Sequence, residues 1–152
     1  MSIAIADILA PERTRTDVAI TSKKKLLEFL AELIAEEVDG SSSDEVFERL
    51  LGRERLGSTG IGEGIAIPHC RLRQCERAVG VLLHLREAID FDAIDHQPVD
   101  LVFALLVPEE ATDDHLKILA TLAENFSQSQ YRHLLRSASS DQELYQRALA
   151  DN

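Results

Sequence analysis

The sequence predicts a layered α/β domain, and three observations predict it. Two amphipathic patterns over residues 22–38 and 43–55 have apolar residues three and four apart, the helical period. A central block then supplies short apolar runs at 65–67, 79–85 and 99–107, which read as buried strands. Helical spacing returns in the last third, so helices flank a core of strands. The 152 residues are expected to form one domain, 1–152, long enough to bury about two thirds of its unfolded surface. A hydrophobic fraction of 45% and a charged fraction of 28% exclude a disordered chain.

In chain order, Ile3, Ile5, Ile8 and Leu9 before Pro11 suggest a short turn or helix packed on the surface. Asp17–Ile20 reads as a short strand. Leu26, Leu27, Leu30, Leu33, Ile34 and Val38 form the apolar stripe of the first long helix. Lys23, Lys24 and Lys25 fall in its first turn, where the helix dipole disfavours cations, and are expected to be a solvated surface run. Ser42 and Glu45 have capping-box spacing ahead of a second helix that buries Val46, Phe47, Leu50 and Leu51 and ends near Arg53–Arg55. After the strands, Thr112 is expected to cap a helix showing Leu119, Leu122, Ala123 and Phe126. Tyr131, Leu134 and Leu135 mark a shorter helix, and Ser140 with Glu143 begins a closing one. No internal repeat or low-complexity linker interrupts this order.

Charge and cysteine content narrow the function. A formal net charge of −11 argues against nucleic-acid binding, which draws its affinity from Lys and Arg on phosphates, and against anionic membranes. Cys70 and Cys75 match no common zinc or redox spacing and read as reduced thiols of a cytoplasmic protein. Residues 1–16 lack the basic start and apolar core of a signal peptide, and no apolar run of about 18 residues is present.

The chemistry concentrates in Gly57–Arg71, which holds four of the seven glycines. Such backbone turns tightly and can present several N–H groups to one anion, with Ser58 and Thr59 as further donors and Gly60, Gly62 and Gly64 as the cradle. Ile65–Ile67 then reads as a strand that Pro68 stops, with His69 directly after it. His115 has a second special position, in the first turn of a helix, where free N–H groups attract anions. His84, His96 and His133 read as structural or solvent-facing. No clustered ligand set for a metal is present, and the glycines lack the lysine of a Walker loop. A Cys70–His69 dyad is disfavoured because neighbours on extended backbone point apart. The remaining chemistry is a histidine that itself accepts and donates a phosphoryl group.

The run Arg53-Glu54-Arg55-Leu56-Gly57-Ser58-Thr59-Gly60-Ile61-Gly62-Glu63-Gly64-Ile65-Ala66-Ile67-Pro68-His69 closely resembles the active-site signature of mannitol/fructose-type enzyme IIA proteins of the bacterial phosphotransferase system. Residues 91–101, 103–108, 141–146 and Ser22–Lys25 sharpen the resemblance to the nitrogen-regulatory branch, EIIA-Ntr. The resemblance implies a mixed, roughly five-stranded sheet sandwiched between helices, a three-layer α/β/α fold. It implies that His69 is phosphorylated by a histidine-containing phosphocarrier protein, itself charged from phosphoenolpyruvate through enzyme I. His115 would be the second active-site histidine and Arg53 would bind phosphoryl oxygens. It implies no cofactor, and it implies regulated targets such as potassium-transport components or sensor kinases. Two departures stand out: Cys70 where many relatives have a small residue, and Glu63 where asparagine is common. Two other readings remain open at this point. One is a sugar-specific enzyme IIA that passes phosphate to a IIB domain, and the other is a non-catalytic binding module.

Overall fold

The computed structural model describes residues 4–110 and 113–150. Ile3, and Thr112 as a helix cap, therefore lie outside the described residues. The chain opens with a single helical turn, α1 (Ile5–Ile8), a 3-10 turn at Pro11–Arg13 and strand β1 (Thr14–Val18). Two helices follow, α2 (Lys23–Glu37) and α3 (Ser43–Arg55). Next come β2 (Gly60–Gly62), β3 (Ile65–Ala66), β4 (His69–Leu72), β5 (Val79–Ile89) and β6 (Val99–Pro108). Helices α4 (Asp113–Phe126), α5 (Ser129–Arg136) and α6 (Asp141–Leu149) close the chain.

The strands form one mixed sheet in the order β1-β5-β6-β3-β2, with β4 also paired to β6. Both β3 and β4 run parallel to β6, Ile65 opposite Leu101 and His69 opposite Leu105. Pro68 separates them, having no N–H for the ladder, so the two strands share one row and the sheet is five rows wide. β5 and β6 form the antiparallel centre. Side chains on β6 alternate between two cores: Val102, Ala104 and Leu106 face α2 and α3, while Leu101, Phe103, Leu105 and Val107 face α4, α5 and α6. This is the expected three-layer arrangement, because a strand buried on both faces carries no polar side.

The caps at Ser42 and Ser140 form as expected, each hydroxyl accepting the amide of the residue three places on. Several local expectations change, among them the burial of Phe47 and Leu51 on α3, which is only partial. The first strand lies at Thr14–Val18 rather than Asp17–Ile20, because buried Arg13 ties the segment to the carbonyls of Gly80 and Ile8, and Asp17 leaves the ladder at φ 55°. Helix α4 buries Ile118, Leu122 and Phe126; Leu119 is only partly buried and Ala123 is exposed. β4 was not foreseen, although His-Cys-Arg-Leu alternates polar and apolar and buries Cys70 and Leu72. Finally, Lys23 is no solvated surface charge, for its ammonium is paired with the buried Glu54 at 2.9 Å.

Candidate functional site

Three elements converge on one cleft of about 370 Å³. The last turn of α3 brings Arg53, the first residue of β4 is His69, and the first turn of α4 brings His115. Arg49 and Arg71 also line it, Arg71 Nη1 donating to the Glu109 carbonyl at 3.1 Å, and Leu105, Val107 and Leu119 supply an apolar floor. Leu56 and Leu116 stand at the rim with 84% and 43% of their surface exposed. Among the described residues that line the cleft there is no carboxylate, in a chain whose net charge is −11. The cleft is therefore a local cationic site in an anionic protein. Bulk charge is screened beyond about 8 Å, so the nearby arginines dominate what a bound group feels.

The two ring nitrogens of His69 have opposite partners. Nδ1 lies 2.7 Å from the carbonyl oxygen of Ile67, and Nε2 accepts a hydrogen bond from Arg53 Nε at 3.2 Å. A carbonyl can only accept and a guanidinium can only donate, so Nδ1 carries the proton and Nε2 presents its lone pair. Arg53 is held by a second bond, from Nη1 to the carbonyl of Gly57 at 2.9 Å. Burial pushes the His69 pKa below its ordinary value of 6.5, and the Arg53 charge adds to this; the Ile67 carbonyl and Glu54 act in the opposite sense. The ring is neutral at pH 7, with a nucleophilic nitrogen aimed at a site that can hold an oxyanion.

Residues 7–150 match the family model described as "Phosphoenolpyruvate-dependent sugar phosphotransferase system, EIIA 2". The chain belongs to this EIIA family. A protein of Pseudomonas aeruginosa called nitrogen regulatory protein is 47% identical over 144 residues, 95% of this chain and 94% of that one. Its Escherichia coli counterpart is 47% identical over 146 residues, 95% and 89% of the two chains. The crystal structure of nitrogen regulatory protein IIA-Ntr from Neisseria meningitidis superposes with a TM-score of 0.90 at 43% identity, covering 95% of this chain and 98% of that one. The family membership extends to the nitrogen-regulatory branch, EIIA-Ntr.

The glycine stretch makes most of its contacts within the scaffold. Among the described residues lining the cleft, none comes from Gly57–Gly64. Ser58 donates its hydroxyl hydrogen to the carbonyl of Phe91 and accepts the amide of Gly60, while Thr59 donates its hydroxyl and its amide to Glu54. Neither hydroxyl has a hydrogen left for an anion, which corrects the reading of Ser58 and Thr59 as free donors. Gly60 packs so closely on Ala93 that a Cβ would lie 2.9 Å from its backbone. Gly64, at φ +79°, leaves room for the Arg136 guanidinium and the Asp100 carboxylate. Gly62 completes the turn between β2 and β3 at φ +103°. These glycines lock the hairpin into the sheet and so place the strand that delivers His69.

Sequence reasoning missed Glu54, Lys23, Arg49 and Arg71. Only the helical phase of Arg49 and Arg53, four residues apart on α3, and the alternation of His69 and Arg71 on β4 could have signalled the extra arginines. Nothing local marks Glu54 as buried. Of the departures from the family pattern, Glu63 is exposed and lies 3.6 Å from Arg132, away from the cleft lining. Cys70 is among the residues of the cleft but is buried in the core of α2 and α3, and burial pushes its thiol pKa up to about 12, so it is not a nucleophile at neutral pH. His84 is structural, bonded to Asp100 at 3.3 Å, and His96 and His133 are exposed. No helix of the described residues is long and apolar enough to cross a membrane.

Proposed function

We propose that residues 1–152 act as one EIIA type-2 domain, a cytoplasmic phosphoryl carrier that accepts its phosphoryl group on Nε2 of His69. The donor is a histidine-containing phosphocarrier protein charged from phosphoenolpyruvate through enzyme I. The observation that carries this reading is the division of the His69 ring: proton on Nδ1 facing Ile67, lone pair on Nε2 facing Arg53. In the transfer, the Nε2 lone pair forms the new N–P bond. The donor's own N–P bond breaks, and its electron pair returns to the donor imidazole. The proton stays on Nδ1, where the Ile67 carbonyl accepts it and offsets the positive charge that develops on the ring. Arg53 moves from Nε2 to a phosphoryl oxygen while its Nη1 keeps the Gly57 carbonyl, and His115, which lines the same cleft, is the second histidine for the group. Charge-assisted bonds of this kind contribute roughly 1.5–3 kcal/mol each.

The protein would then act on regulated targets, potassium-transport components or sensor kinases, according to its phosphorylation state. The test is incubation with phosphoenolpyruvate, enzyme I and the phosphocarrier. Wild type should gain one acid-labile phosphate and His69→Ala none. Equal labelling of the two would overturn the reading. Onward transfer to a IIB domain would replace the regulator with a sugar carrier.

A further inference from the structure

The geometry points to the ion pair between Lys23 and the buried Glu54 as the positioning device for both hydrogen-bond partners of His69. The inference rests on the phosphoryl-carrier reading, because it concerns the reactivity of Nε2.

Glu54 follows Arg53 on α3, so its side chain leaves the helix about 100° away from that of Arg53. It points into the protein and is only 7% exposed. Its carboxylate accepts the amide of Thr59 at 3.1 and 3.2 Å, accepts the Thr59 hydroxyl, and meets Lys23 Nζ at 2.9 Å. Two paths run from that carboxylate to His69. Along the first, Thr59 is pinned by Glu54 and its carbonyl accepts the amide of Ile67 at 3.0 Å. The Ile67 carbonyl in turn takes the Nδ1 proton of His69. Along the second, the bonds from Glu54 to Thr59 close the loop 54–59. That loop contains Gly57, whose amide donates to the Glu54 carbonyl at 3.1 Å and whose own carbonyl anchors Arg53. One carboxylate thus sets the orientation of the ring from the Nδ1 side and the donor at Nε2.

Lys23 makes this arrangement possible. Among the described residues it is the cation paired with Glu54. Its ammonium also donates to the Phe91 carbonyl at 3.2 Å, which accepts Ser58 as well, and lies 4.4 Å from the centre of the Phe91 ring. Without Lys23, Glu54 would be an uncompensated buried charge and would have to turn outward or take up a proton. Either change loosens Thr59, and with it both paths.

The experiment measures phosphoryl acceptance from the charged phosphocarrier together with the 15N shifts of the His69 ring. Wild type should show a single tautomer, Nδ1 protonated and Nε2 bare. Lys23→Met should move the ring shifts toward an average of the two tautomers and slow acceptance on the order of 10- to 100-fold. Lys23→Arg should restore both. If Lys23→Met does not fold, the double variant Lys23→Met/Glu54→Gln, which leaves no orphaned charge and keeps an oxygen for the Thr59 amide, should fold. It should show the wild-type tautomer. Wild-type ring shifts and wild-type rate in a folded Lys23→Met, failure of Lys23→Arg to rescue, or tautomer averaging in a folded double variant would each overturn the inference. Failure of wild type itself to be labelled would overturn the carrier reading instead, and the NMR arm would still decide the positioning role.

Discussion

At the scale of the residue, reactivity follows from what each ring nitrogen of His69 can see. Burial holds its pKa below 6.5, so acceptance of phosphate should rise with pH through that lowered value and level off above it. The Arg53 charge is one of the lowering influences. Arg53→Met should therefore shift the acid limb of the rate profile upward while reducing the plateau, and rates measured from pH 4 to 8 would check it. The same shift links to stability. The neutral ring is favoured in the folded state, so its contribution is complete above about pH 6.5 and is lost as pH falls through the folded pKa. His115→Ala should keep the fold and slow transfer about 100-fold if His115 donates to the transferring group. Stopped-flow phosphoryl exchange reads that rate directly. The contiguous signature singled out Arg53, sixteen positions from His69, but which ring nitrogen it meets, and the bond to Ile67, depend on backbone geometry.

At the scale of the element, the β2–β3 hairpin is held by charge rather than by length. Arg136 on α5 donates to the Glu63 carbonyl at 2.7 Å and to the Asp100 carboxylate at 2.8 Å, bridging the turn to β6. Burial works to raise the Asp100 pKa, but bonds from His84 and Arg136 outweigh it and hold the carboxyl below its usual value. A methyl at Gly64 would collide with this bridge and meet a positive φ. Gly64→Ala should therefore cost about 1–3 kcal/mol in urea unfolding. The longer helices were readable because each repeats its apolar stripe over two or more turns and, at Ser22, Ser42 and Ser140, carries its cap in sequence. Of the short strands, β3 was readable from its apolar run, but β2 and β4 were not, since three or four residues give too few alternations to establish a period, and β1 is placed by Arg13 rather than by its own pattern.

At the scale of the molecule, one sheet separates two cores, and the cleft opens where both meet its edge. Leu30 belongs to the core of α2 and α3, and Phe126 to that of α4 to α6. Each truncation to alanine should cost roughly 2–5 kcal/mol. Because the sheet lies between them, the double variant should be additive to within about 0.5 kcal/mol, with a single transition by both fluorescence and circular dichroism. The arginines of α3 and β4 concentrate positive charge in one cleft of an otherwise acidic chain, and only the packing of α3 against β4 makes that concentration.

The sequence by itself determined the fold class, the long helices with the caps at Ser42 and Ser140, and the buried central strands, and it singled out His69, His115 and Arg53 as candidates. These rest on local periodicity, capping chemistry and one contiguous signature. Tertiary structure alone decided that Ser58 and Thr59 serve the scaffold, that Lys23 turns inward to Glu54, and that Arg49 and Arg71 join the cleft. Each depends on which distant groups meet across the layers, because a hydroxyl or a charge has no fixed role until its partner is in place.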